Sequence, residues 1–193
     1  MKARQYAMGA DQTSGQSTTS HDDNPWRAAL PMSGNAADWL GDPGLLTDDV
    51  RRSCTGPLTL DIIHDGRALL PDIVTAALPG TFSNAGWHRE ISMRMNGVLV
   101  VHARTFAPRE TLDAHPWLEA LGTNPLGHAL AKMGDAARVD MQFCESSVLQ
   151  GELAPPATCD GWSRRSLFQF DTLPLLLFEH FTTALLTQRR RRQ

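Results

Sequence analysis

The clearest hydrophobic pattern in the chain is an alternation over residues 87–108, interrupted by an Asn96-Gly97 pair. Asn-Gly is a strong signal for a tight hairpin turn, because both residues tolerate positive φ angles. The alternation places one charged side chain, that of Arg89, in an otherwise apolar row formed by Trp87, Ile91, Met93 and Met95. The sequence therefore predicts a hairpin with an arginine on its apolar face.

A two-residue turn would place Arg104 directly opposite Arg89. Two facing guanidinium groups repel each other unless an anion lies between or beside them, so the pair indicates a pocket for a small carboxylate. A plainer interpretation stays open at this point. The arginines could pair with acidic side chains of the core, or the register could differ so that Arg104 reaches solvent.

Four further segments alternate as strands, namely residues 58–64, 138–144, 165–170 and 175–182. Asp65-Gly66 predicts a turn after the first of them. Short helices are predicted at residues 35–40, after a cap at Thr47, at 73–79, from a cap at Thr111 to Leu121, and at 128–133. About six mainly antiparallel strands with short helices between them predict an α+β fold, with the helices on one face of the sheet.

The last predicted strand carries a second misplaced charge. Alternation puts Glu179 on the same face as Leu175, Leu177 and Phe181. An acid in such a row is either part of a site or half of a structural ion pair with a core arginine. Residue types alone do not decide between these two interpretations.

The two ends of the chain differ from its middle. Residues 1–34 are polar and are predicted to form a disordered extension, although Trp26 or Leu30 could dock on the body. The predicted domain covers residues 35–187 and includes a loop over residues 148–162. Residues 188–193 form a basic tail that is typical of a solvated terminus, with a weak contact to an anionic membrane as the alternative.

Composition narrows the functional classes. The chain has 193 residues, a net charge of −3 and a pI near 6.1, so nothing indicates general affinity for nucleic acid. No apolar run reaches the roughly 18 residues of a membrane span, and the first residues lack the apolar core of a secretory signal. The three cysteines form no CxxC pair, which favours reduced thiols and a cytoplasmic protein. The histidines are scattered, so we expect no metal, and no phosphate-loop, GxSxG or HExxH motif occurs.

Several short motifs, taken in order, resemble the chorismate pyruvate-lyase family: WHREI, an x-N-G-x turn, ARTFAPRETL, LGTNPLG, WSRRSLF and PLLLFEHF. The resemblance covers roughly residues 39–182. Members of that family remove pyruvate from chorismate to make 4-hydroxybenzoate for ubiquinone synthesis. The resemblance implies a six-stranded antiparallel sheet with helix-turn flaps over an enclosed site. It also implies a monomer without metal or organic cofactor, whose product lingers in the closed site.

The resemblance also implies roles for four residues at positions that match the family's motifs. Arg89 would bind the ring carboxylate and Glu179 would contact the ring hydroxyl, which makes them the candidate catalytic residues. Leu46 and Leu126 would belong to the flaps. All four are candidate substrate-binding residues.

Chorismate carries a second carboxylate on its enolpyruvyl ether, and that group also needs a cation. Arg104, Arg164 and Arg165 are the candidates, although a role at the surface or sheet edge suits the last two equally well. The chain departs from the family pattern at Thr172-Leu173-Pro174, which replaces Gly-Lys-Pro, in the long 148–160 loop, and at His88 and His180.

Two other functions fit the same residues. A non-catalytic domain that senses small aromatic carboxylates, like effector domains of bacterial regulators, would use a similar sheet. Such domains usually carry a helix-turn-helix, and residues 1–34 are too polar and too few to form one. A purely structural domain would bury Arg89 and Glu179 as an ion pair and bind no aromatic ligand. The primary prediction remains a lyase whose partners are chorismate and 4-hydroxybenzoate, without nucleic acid or membrane insertion.

Overall fold

The computed structural model describes residues 24–191, which form one six-stranded sheet flanked by short helices. The strands are β1 (Leu58–Leu69), β2 (Ala85–Met95), β3 (Val98–Pro108), β4 (Ala136–Glu145), β5 (Trp162–Phe170) and β6 (Leu173–Phe181). Their order across the sheet is β1-β2-β3-β6-β5-β4, and every neighbouring pair is antiparallel. The predicted α+β fold class with a six-stranded antiparallel sheet is confirmed.

The helices are all short: α1 (Asn35–Leu40), α2 (Leu46–Ser53), α3 (Asp72–Thr75), α4 (Arg109–Ala114), α5 (Leu126–Met133) and α6 (Thr183–Leu186), with 3₁₀ turns at Pro116–Ala120, Ser146–Val148 and Gly151–Leu153. Two predicted caps are wrong. Leu45 rather than Thr47 precedes α2, and Thr111 lies inside α4 with its hydroxyl donating to the carbonyl of Pro174. The predicted helix to Leu121 ends at Ala114, and Pro116 begins a 3₁₀ turn instead, because proline cannot continue the helix.

The predicted turn at Asp65-Gly66 is also wrong. Strand β1 continues through it, with Asp65 opposite Arg89, and a bulge between Ile62 and His64 shifts the register. Strand β2 offers backbone partners along almost the whole of β1, and these tertiary hydrogen bonds outweigh the local turn preference of Asp-Gly. The longer strand brings the carboxylate of Asp65 to the hairpin.

The central hairpin forms at the predicted turn but with a different register. Asn96 and Gly97 have φ angles of 52° and 78°, as a tight turn requires. The register then shifts, so that Arg89 faces Thr105 and Arg104 faces Glu90. One extra residue in β3, at Val100, therefore moves Arg104 to the opposite side of the sheet from Arg89. The predicted opposition of the two arginines is wrong. The alternative of a different register is confirmed, but Arg104 does not reach solvent, because it is only 14% exposed and pairs with Glu90.

Both sides of the sheet are covered. The inner face, defined by Arg89 and Glu179, packs against α1, α2, α4 and α5 in two clusters centred on Trp39 and Trp87. The outer face is covered by Trp26, α3 and the segment that follows β4, with Leu149, Leu153 and Phe178 in its core. The long loop that the sequence left unplaced thus forms part of the outer cover.

The described parts of the two ends contact the body. The Trp26 ring lies 5.7 Å from that of Phe178, and Trp26 is buried, which is the docking that the sequence left open. At the other end Arg190, 9% exposed, forms ion pairs with Asp42 and Asp49. Residues 1–23 and 192–193 lie outside the described part. The division of the chain into an N-terminal extension, a domain and a basic tail therefore stays a prediction. No helix among residues 24–191 is long and apolar enough to cross a membrane.

Candidate functional site

A small cavity lies between the inner face of the sheet and the first turns of α2 and α5. Its walls are mostly apolar, with Ile91, Met93, Phe168 and Leu177 contributed by the sheet. The cavity volume is about 80 Å³, which is well below the roughly 300–1,000 Å³ of typical ligand pockets. Arg89, Glu179, Leu46 and Leu126 all line this one cavity.

Arg89 reaches the cavity from β2 with its side chain only 3% exposed. Its Nη1 donates to Asp65, and its Nη2 donates to the carbonyl oxygen of Gly122 at 2.7 Å. The other Asp65 oxygen accepts from the Trp87 indole at 2.8 Å. These partners fix the direction of the guanidinium and compensate its charge, while Arg89 still lines the cavity.

Glu179 lines the cavity from β6 and has a different partner. Its Oε2 accepts from Arg164 Nε at 2.7 Å, while Oε1 accepts no hydrogen bond from any described residue. Arg164 is 1% exposed and also donates to the carbonyl oxygens of Leu40 and Asp42. Arg89 and Glu179 therefore do not neutralise each other, because each has its own counter-charge. One carboxylate oxygen of Glu179 stays available to a hydroxyl donor.

The first residues of two helices cover the cavity. Leu46 begins α2 and Leu126 begins α5. The two helix starts lie close together, since a Cβ added at Gly127 would come within 3.4 Å of the Leu45 side chain. Beside this close approach His128 Nε2 lies 3.0 Å from Asp48 Oδ2, which links α5 to α2.

None of the three arginines suggested for a second carboxylate lines the cavity. Arg104 lies on the outer face, where its Nε is 3.4 Å from Glu90. Arg165 also points to the outer face, with its Cζ 4.9 Å from the centre of the Trp26 ring. Arg164 is on the inner face, but its guanidinium is occupied by Glu179 and the α1–α2 loop.

Sequence reasoning missed Asp65 and Arg138. Asp65 lies in a dipeptide that is typical of turns. Arg138 does line the cavity, although a regular β4 would point it outward together with Cys144. A bulge between Arg138 and Asp140 pairs Arg138 with Phe168 and turns it inward. No pattern in the sequence marks that bulge.

The two histidines at unusual family positions lie on the outer face. His180 Nδ1 is 2.8 Å from Ser163 Oγ, and burial, followed by the charges of His102 and Arg104, lowers the pKa of His180 to about 3. Burial likewise lowers the pKa of His88 to about 4. These groups do not reach the cavity. Within residues 24–191, no group of three or more His, Cys, Asp or Glu side chains is placed to hold a metal ion.

Comparison with known proteins identifies the family. The profile of the chorismate lyase family matches residues 23–192. The chain belongs to the chorismate lyase family. It is 33% identical over 170 residues to probable chorismate pyruvate-lyase 1 of Pseudomonas entomophila (strain L48), covering 82% of this chain and 89% of that protein. It is 31% identical over 175 residues to the chorismate pyruvate-lyase of Hamiltonella defensa subsp. Acyrthosiphon pisum (strain 5AT), covering 82% and 85%.

Among solved structures, the C-terminal domain of histidine utilization repressor from Pseudomonas syringae pv. tomato str. DC3000 aligns with a TM-score of 0.47 and 14% identity. The alignment covers 71% of this chain and 96% of that one. The family assignment rests on the sequence relatives.

Proposed function

We propose that this chorismate lyase family member eliminates pyruvate from chorismate and releases 4-hydroxybenzoate, the aromatic precursor for ubiquinone biosynthesis. The observation that carries the proposal is that Arg89 and Glu179 face one apolar cavity while each is paired with a separate partner. Such a cavity suits a ring with a carboxylate at one end and a hydroxyl at the other.

The reaction needs orientation more than a strong nucleophile. The ether bond between the ring and the enolpyruvyl oxygen breaks, and its electron pair stays on that oxygen. The ring loses the hydrogen from the carbon that carries the hydroxyl and becomes aromatic, while the enolpyruvyl methylene gains a proton to give pyruvate. Because aromatisation drives the reaction, the site can contribute mainly by fixing the conformation and compensating charge.

The residues of the cavity divide these tasks in the proposal. Arg89 binds the ring carboxylate with a planar, permanently charged fork whose direction is set by Asp65. Glu179 accepts a hydrogen bond from the ring hydroxyl at its unoccupied oxygen. Leu46 and Leu126 exclude water, which strengthens both contacts. The small closed volume requires the helix starts to part before a substrate can bind.

The direct test is to incubate the purified protein with chorismate and to follow pyruvate and 4-hydroxybenzoate together by chromatography. We expect equal amounts of the two products, and a large loss of both in Arg89→Ala. Binding of 4-hydroxybenzoate without any turnover would instead support a non-catalytic sensor. Absence of both binding and turnover would support a structural domain.

A further inference from the structure

Arg138 is a cation of the cavity for which neither the hydrophobic pattern nor the family motifs suggested a role. It lies in β4 with its Cζ 4.8 Å from the centre of the Phe168 ring, and its Nη1 is 3.3 Å from the sulfur of Met141. Both neighbours are uncharged. Among the described residues, Arg138 forms no ion pair with any carboxylate.

The other basic side chains around the cavity have acidic partners. Arg89 pairs with Asp65, Arg164 with Glu179, and His128 lies against Asp48. Arg138 differs from all of them, since even its buried Nε lacks a hydrogen-bond partner. An unpaired, partly buried guanidinium is costly, so its placement beside a cavity points to an anion that binds there.

The surroundings of Arg138 agree with this interpretation. Burial lowers the pKa of its guanidinium and the positive charge of Arg164 lowers it further, while Glu179 and Asp42 act in the opposite direction. Arg138 is thus near enough to both Arg164 and Glu179 to interact with their charges. Since Arg164 already neutralises Glu179, a second anion would be needed to compensate Arg138.

We propose that Arg138 binds the second carboxylate of the substrate, the one carried by the enolpyruvyl ether. This inference rests on the proposed function. The substrate is a dianion, and Arg89 and Arg138 supply one cation for each of its carboxylates. After elimination, 4-hydroxybenzoate keeps only the carboxylate at Arg89, and pyruvate carries the other away. Arg138 therefore distinguishes substrate from aromatic product, whereas Arg89 binds both.

The test compares two ligands on the same protein. One is 4-hydroxybenzoate, which has a single carboxylate. The other is 3-(carboxymethoxy)-4-hydroxybenzoate, a stable dianion whose second carboxylate is attached through an ether at the ring position from which pyruvate leaves. Each is titrated by calorimetry into wild type, Arg138→Gln and Arg138→Lys, and kcat and KM for chorismate are measured in parallel.

Arg165→Gln is the matched control. Arg165 is an arginine that also stacks on an aromatic ring, at 4.9 Å from Trp26, but it lies on the outer face. Its loss should change stability in a similar way without changing the affinity for either ligand. Thermal melts of all variants separate folding effects from binding effects.

We expect Arg138→Gln to bind the dianion about 10- to 100-fold more weakly and to lower kcat/KM by a similar factor, because a charge-assisted hydrogen bond is lost. Its affinity for 4-hydroxybenzoate should change less than about threefold, and Arg138→Lys should recover part of the dianion affinity because it keeps the charge.

Equal binding of the dianion by wild type and Arg138→Gln would overturn the inference. Equal losses for the two ligands would also overturn it, since they would indicate a general effect on Glu179 or on the cavity. A matching loss of dianion affinity in Arg165→Gln would do the same. If wild type binds both ligands but forms no 4-hydroxybenzoate from chorismate, the proposed function fails while the comparison still decides the role of Arg138.

Discussion

Arg89 and Glu179 each combine a position in the cavity with an ion pair behind it. The pairs differ in burial, because the Asp65 side chain is 18% exposed whereas Arg164 is 1% exposed. Removing Arg89 leaves a carboxylate that water can reach. Removing the charge of Glu179 leaves a fully buried guanidinium, which is far more costly. The two residues should therefore affect stability and ligand binding in different proportions.

We expect Arg89→Ala to weaken 4-hydroxybenzoate binding by about 2–4 kcal/mol, because a charge-assisted contact to the carboxylate is lost. Its unfolding free energy should fall by only about 1–2 kcal/mol. Glu179→Gln keeps an acceptor for Arg164 and should weaken ligand binding less than Arg89→Ala does. Calorimetric titrations and urea unfolding of both variants provide the measurements.

The control for Arg89→Ala is Arg94→Ala, on the same strand, whose partner Asp61 is an exposed carboxylate. It should change neither quantity by more than about 1 kcal/mol. An Arg89→Ala protein that melts far below wild type yet binds 4-hydroxybenzoate normally would exclude Arg89 from the site.

The first turns of α2 and α5 cover the cavity. They contact each other through the His128–Asp48 pair, and Gly127 lies close to the Leu45 side chain. Behind α2, Arg164 and Arg190 hold the preceding loop at Asp42 from two directions. The loop before α2 is thus held by more interactions than join the two helix starts. We therefore expect the cavity to open between the helix starts.

Asp48→Ala removes the link between the two helix starts without changing a residue that lines the cavity. His128 is 36% exposed, so the contact contributes at most about 1 kcal/mol and its loss should speed 4-hydroxybenzoate dissociation about two- to fivefold. Stopped-flow dissociation measures this rate. Arg51→Ala removes the other partner of Asp48, within α2, and should leave the rate unchanged. An unchanged rate in Asp48→Ala would show that opening occurs elsewhere.

Most of these helices and strands could be predicted from the sequence, but the register shifts between neighbouring strands could not. Alternation found Arg89 and Glu179 because β2 and β6 are regular next to them. Bulges at Val100 and Val139 reverse the facing of Arg104 and Arg138, and nothing local distinguishes either bulge from a regular strand. Asp65-Gly66 has the local preference of a turn, and the backbone hydrogen bonds of the neighbouring strand β2 override it. Asp65, Arg104 and Arg138 all lie at or beyond such irregularities.

Across the whole molecule, the outer face carries a second set of buried charges and histidines. His102 lies 2.9 Å from Glu90, and its ring is 6.0 Å from that of His180. Burial, and then the charge of Arg104, lowers the pKa of His102, and the pKa values of His88 and His180 are lowered as well. All three histidines are therefore neutral in the folded protein near neutral pH.

Acid should destabilise the fold through this face. In the unfolded chain His180 takes up a proton near the ordinary histidine pKa of about 6.5, whereas in the folded protein it does so only near 3. The contribution of His180 to stability is therefore complete above pH 6.5 and is lost as the pH falls toward 3. At pH 5 the loss from this one residue is about 2 kcal/mol. Urea unfolding between pH 7.5 and 5 should show the decline, and His180→Gln should make it shallower. A decline equally steep in that variant would assign it to other groups.

The position of β6 has a consequence for the order in which the sheet can assemble. This strand follows the other five in sequence, yet it lies between β3 and β5 and joins them. Until β6 has been synthesised, β1-β2-β3 and β4-β5 are two separate pieces, each with an open edge exposed to other chains. Glu179 belongs to β6, so before β6 is added Arg164 has no counter-charge and the cavity lacks its lining residues Leu177 and Glu179. The sheet and the candidate site are therefore completed in one late step.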